Sequence, residues 1–202
     1  MVHMEVGNAA EWMAALGSVA TAIIAGLALN AWRDQMRGTS RHLAASEIAE
    51  AARLMKYHFY DARNALYMAS EFPPAYNAQT THTNQEEAEG WGFVFQKRWD
   101  LLGPQITHLA KLRAKAGAIL SEDCATALGD LARKARELHN FFSDRVEQYR
   151  VGPNIVRQWS DQNWVQRVKS SVQVIPDDHS DPYSVEFEEK FAVLKELTDP
   201  FI

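Results

Sequence analysis

The chain has 202 residues, a formal net charge of −5 and one cysteine. That balance excludes a broad electrostatic attraction for nucleic acid. A single thiol excludes an intramolecular disulfide framework and suits a reducing compartment. The length allows one domain with a real hydrophobic core beside an anchoring segment.

Residues 1–11 form a short N-terminus with Glu5 and Glu11 and no Lys or Arg. From Trp12 to Trp32 the run WMAALGSVATAIIAGLALNAW carries no charge. The helical steps between the two tryptophans span roughly 30 Å. That is about the thickness of a bilayer's hydrocarbon core, and tryptophan favours its two interfaces. A central helix of a soluble bundle is the competing reading, but such helices usually keep a polar face. A cleavable signal peptide would place basic residues before the apolar run; here Arg33, Arg37 and Arg41 follow it. The pattern therefore predicts a transmembrane helix over 12–32. By the positive-inside rule the N-terminus lies outside and residues 33–202 form a cytoplasmic domain. Arg33, Arg37 and Arg41 recur every four positions and suit anionic lipid phosphates.

Within the span, Ala14, Ser18, Ala22, Gly26 and Asn30 also lie four apart. Small residues on one stripe let helix backbones approach closely in lipid, so the stripe predicts a homo-oligomer. A ring of such helices would present Ser18 and Thr21 to a pore.

The remaining chain reads as helical nearly throughout. Gly38-Thr39-Ser40 predicts a joint, with a hydroxyl cap for a helix over 40–71 that Pro73 and Pro74 end. Residues 76–87 read as an exposed polar loop. A helix over 85–102 carries Trp91, Phe93, Phe95 and Trp99, and Gly103-Pro104 predicts a break before a shorter helix to about 120. Ser121 followed by Glu122 and Asp123 predicts a strong helix start. The stripe Leu128, Leu131, Ala135, Leu138, Phe142 and Tyr149 then runs to Gly152-Pro153. A segment over 154–172 and a helix over 184–197 complete the bundle; in the latter Phe187, Phe191 and Leu194 share a face. Residues 172–175 are the one short strand candidate. The expected class is all-α: one N-terminal transmembrane helix followed by a cytoplasmic helical bundle.

Catalytic signatures are few. The chain has no Walker loop, nucleophile elbow or zinc-type Cys/His spacing, and no cofactor or metal is expected. Gly90-Trp91-Gly92 lacks the third glycine of a dinucleotide loop. His58 and Asp61 read as a surface pair, and Asp177, Asp178, His179 and Asp181 as a solvated turn between prolines.

Arginine followed at five or six positions by histidine occurs at Arg37/His42, Arg53/His58 and Arg133/His139. This resembles the Arg-x(4–6)-His motif of HEPN domains, all-helical modules that often cleave RNA. For Arg53 and His58 the resemblance implies a phosphate-binding guanidinium and an acid–base imidazole, assembled from two copies at a dimer interface. Leu54 stands where that family usually has a polar residue. The layout also resembles small bacterial inner-membrane proteins with one span and a cytoplasmic helical domain. These include the type VI CRISPR accessory membrane proteins, which combine a span with a degenerate HEPN-like domain and form a membrane ring.

The leading expectation is a bacterial inner-membrane protein that self-associates and acts as a non-enzymatic effector or scaffold, in a phage-defence and membrane-perturbing setting. A membrane-tethered ribonuclease using Arg53 and His58 is the alternative. A third reading is a module binding RNA or a cytoplasmic protein through Arg145, Arg150, Arg157, Arg167 and Lys169 beside Tyr149, Trp159 and Trp164.

Overall fold

The computed structural model describes residues 7–74, 76, 81–152, 162–174 and 180–202. The elements in chain order are α1 (Gly7–Arg63), a 3-10 turn at Ala69–Glu71, α2 (Asn84–Ile119), α3 (Glu122–Val151), α4 (Gln162–Val172), α5 (Pro182–Thr198) and a closing 3-10 turn at Asp199–Phe201. Among the described residues there is no strand, only one isolated parallel bridge between Asn64 and Val174. The class is all-α. Two compact units divide the chain between Leu43 and Ala44.

In the first unit, Gly38-Thr39-Ser40 forms no joint; the residues are helical throughout. The Thr39 hydroxyl donates to the Gln35 carbonyl at 3.0 Å, one turn back. A hydroxyl used this way fits inside a helix and leaves no cap to start a new one.

The second unit is built around a hairpin. Thr83 caps α2 reciprocally with Glu86: the Glu86 N–H donates to Thr83 Oγ1 at 3.2 Å, and the Thr83 N–H donates to Glu86 Oε2 at 2.8 Å. Those bonds hold the Glu86 carboxyl below its ordinary range. Ser121 caps α3 as expected, accepting from the Cys124 N–H at 3.1 Å. Only Leu120 and Ser121 separate the two helices, so they must pack as antiparallel neighbours. Ring pairs record the register: Trp91 with Tyr149, Phe95 with Phe142 and Trp99 with His139.

That packing explains why α2 is one helix and not two. Pro104 lies inside it without breaking it. An internal proline forfeits a hydrogen bond and costs about 3 kcal/mol. Leu102, Ile106 and Leu109, on both sides of Pro104, are completely or almost completely buried. Burying such side chains recovers about 1.5–3 kcal/mol each, which outweighs the loss. The expected break at Gly103-Pro104 does not occur.

α1 contributes Ile48, Met55 and Phe59 to the same core, and α5 contributes Phe187 and Leu194. Phe59 and Phe187 stack with centroids 3.9 Å apart. The expected helix over 40–71 stops at Arg63, ahead of the prolines. There the backbone finds other partners. The Val174 N–H donates to the Arg63 carbonyl at 2.8 Å, and the Ala65 N–H donates to the Val174 carbonyl at 2.9 Å. Val174 thus makes the single bridge; Val172 is helical, and Ile175 lies outside the described residues. Arg98 completes the arrangement by donating to the carbonyls of Ala62, Asn64 and Leu66 at 3.3, 2.5 and 3.0 Å.

Candidate membrane helix and candidate site residues

In the first unit every side chain described from Glu11 to Leu43 is exposed. This part of α1 is long and apolar enough to cross a membrane, with a mean hydropathy of 1.9 and no buried residue in its most apolar window. Trp12 is 66% exposed and Trp32 58%, with Leu16, Val19, Ile23 and Leu27 between them similarly open. Among the described residues of this unit, nothing covers that surface.

The small-residue stripe keeps its backbone accessible. A Cβ built on Gly26, or on Gly17 outside the stripe, would meet nothing within 4 Å. The Ser18 hydroxyl donates to the Ala14 carbonyl at 2.9 Å, and that of Thr21 to the Gly17 carbonyl at 2.8 Å. Both hydroxyl protons are therefore satisfied inside the helix, which is how a polar side chain rests in lipid without an external partner. Beyond Trp32, Arg37 approaches Asp34 at 3.8 Å, both well exposed.

In the second unit Arg53 is exposed and its Nε donates to the Ala49 carbonyl at 3.2 Å. His58 is half-buried, and its Nδ1 has no hydrogen-bond partner. Five residues of α-helix turn the two side chains about 140° apart. The cavity that Arg53 lines does not include His58. Arg133 pairs with Asp130 at 2.8 Å on the surface, while His139 lies against the Trp99 ring at 4.5 Å.

The basic group near the end of α3 is similarly distributed. Arg145 covers the Tyr149 ring at 4.4 Å and bonds its hydroxyl at 3.1 Å. Arg150 pairs with Glu147 at 2.5 Å. Arg167 and Lys169 are exposed on α4, and Trp164 packs on Phe141. Arg157 and Trp159 lie outside the described residues, as do Asp177, Asp178 and His179. No group of three or more His, Cys, Asp or Glu able to hold a metal occurs among the described residues.

Asp181 corrects the reading of a solvated turn. It is the N-cap of α5, accepting from the N–H groups of Tyr183 and Ser184 at 3.1 and 3.0 Å, with Pro182 in the first turn. It also accepts from Arg63 Nη2 at 2.8 Å. Arg63 is fully buried, and its remaining donors reach the Ser171 carbonyl at 2.5 Å and Ser184 Oγ at 2.7 Å. Sequence reasoning missed both Arg63 and Arg98. An aspartate followed by proline does carry the cap signal; nothing local to either arginine marks it as buried.

Burial would raise the Glu71 carboxyl, but its hydrogen bond and ion pair with Arg98 hold it below the ordinary range. Burial raises the Tyr67 and Tyr183 hydroxyls. These shifts accompany structural contacts: Glu71 and Tyr67 meet Arg98 of α2, and Tyr183 of α5 meets Phe59 of α1.

Comparison with known proteins returns no relative: no family model, curated protein or solved structure matches the chain.

Proposed function

We propose that the chain is a single-pass protein of the bacterial inner membrane that assembles with copies of itself through its N-terminal helix and works as a non-enzymatic effector or scaffold. The observation that carries this reading is the uncovered apolar surface from Trp12 to Trp32. An exposed apolar surface of that extent marks a lipid or protein contact. Arg33, Arg37 and Arg41 after the span, with only acids before it, favour an outside N-terminus and a cytoplasmic helical domain facing anionic lipid. The open backbone at Gly26 beside Ala22 favours close helix pairing. On this reading the helical domain meets an RNA or protein signal, and the resemblance to accessory membrane proteins of phage-defence loci makes defence the setting.

The test is membrane extraction followed by crosslinking. The native chain should resist alkaline carbonate and crosslink as an oligomer. Ala22→Leu with Gly26→Leu should remain in the membrane but crosslink at least tenfold less. Release of the native chain by carbonate would remove the anchor; unchanged oligomers in the double variant would remove the pairing.

A further inference from the structure

A cavity of about 210 Å³ lies in the second unit where α1 faces α5. Ala49, Ala52 and Arg53 supply its α1 wall; they are spaced at three and four residues and so share a side of the helix. Phe191, Leu194 and Thr198 supply the opposite wall at the same kind of spacing. The gap exists because α1 presents alanines where a leucine would reach across.

The lining side chains are apolar apart from Arg53, Lys195, Thr198 and Asp199, and among the described residues the charge of Arg53 alone of these has no side-chain partner. The Thr198 hydroxyl donates to the Leu194 and Lys195 carbonyls at 3.1 Å, so its proton stays within α5. Asp199, the acid of the lining, is held by Lys195 at 2.6 Å, which neutralises both. Arg53 makes its one hydrogen bond through Nε; its two terminal nitrogens have no partner among the described residues. An apolar chamber with an unpaired guanidinium at its rim is complementary to a chain bearing one anionic end.

We propose that this cavity binds a medium-chain carboxylate, its alkyl chain between Ala49, Ala52, Phe191 and Leu194 and its carboxylate on Arg53. A cavity of about 150 Å³ accepts the six carbons of benzene, so this one suits a chain of about eight. The inference does not depend on the membrane reading or on oligomerisation.

The test uses the full chain in nanodiscs of zwitterionic lipid, with ¹³C-labelled alanine methyls and empty discs as the reference. Octanoate should shift the Ala49 and Ala52 methyl signals saturably. Hexanoate should bind about fifteenfold more weakly, since each buried methylene contributes about fourfold. Arg53→Gln should weaken octanoate about fivefold and leave octanol unchanged. Ala49→Leu should abolish the shift at Ala52 and raise the melting temperature by filling the space. The proposal is overturned if octanoate produces no saturable shift, if octanol binds as tightly as octanoate, or if Arg53→Gln binds octanoate normally. The glutamine variant alters an exposed side chain, so it keeps the test decisive even if the leucine variant fails to fold.

Discussion

At the scale of single residues, two arginines hold the second unit together. Arg63 is a fully buried guanidinium with its donors placed on Asp181, Ser184 and the carbonyls of Ser170 and Ser171. Removing one partner of such a pair leaves a buried charge uncompensated, at a cost of about 3–5 kcal/mol. Asp181→Ala should approach that loss in urea unfolding, because it removes the cap of α5 as well. Asp181→Asn should cost less, since an amide oxygen still caps. Equal losses would mean that the cap contributes nothing beyond the charge. Arg98 acts differently, closing the end of α1 while paired to Glu71. The Glu71 carboxyl is depressed in the folded state from its ordinary value of 4.5. A depressed acid contributes stability that is fully present above the unfolded value and is lost as pH falls through the folded one. Melting temperature should therefore drop as pH falls below about 4.5, and Glu71→Gln should flatten that acid limb while lowering stability near neutrality by about 1.5–3 kcal/mol. An unaltered acid limb in the variant would contradict this assignment.

At the scale of elements, the helices were legible wherever the deciding signal was local. Ser121 and its two acids start α3, and the spacing of Leu128, Leu131, Leu138 and Phe142 marks its buried side. The misread end of the helix over 40–71 and the misread break at Gly103-Pro104 share a cause: each was decided by a partner distant in sequence. α1 ends at Arg63 because its carbonyl is taken by Val174 and the carbonyls around it by Arg98. Pro104 stays helical because α3 lies against both sides of it, a fact that no window around Gly103-Pro104 contains. Of the candidate site, the apolar span and its flanking arginines were legible, since composition alone decides them. The cavity beside Arg53 was not, because it depends on the alanines of α1 meeting α5. Pro104→Ala would restore a donor to the carbonyl of Asp100. It should stabilise the protein by about 2–2.6 kcal/mol, the helix gain of about 3 kcal/mol less about 0.4–1 kcal/mol for the freedom returned to the unfolded chain. A loss of stability would show that the hairpin requires a bend there.

At the scale of the whole molecule, the buried core begins at Ala44 and the uncovered apolar helix precedes it. A chain starting at Gly38 keeps every core residue among those described, and Ser40 offers its new helix end a capping hydroxyl. It should be soluble without detergent, helical by circular dichroism and monomeric by sedimentation, with the core's cooperative urea transition intact. Aggregation of that fragment would show that the bundle needs the first unit to fold. The same division bears on the one thiol. Cys124 is fully buried under the cap of α3, and desolvation pushes its ionisation up. A thiol that is neither reached by reagent nor readily ionised is silent to maleimides. Cysteines introduced one at a time near Trp12 and Trp32 would then report their side of a bilayer in the otherwise native protein, with Cys124 left in place.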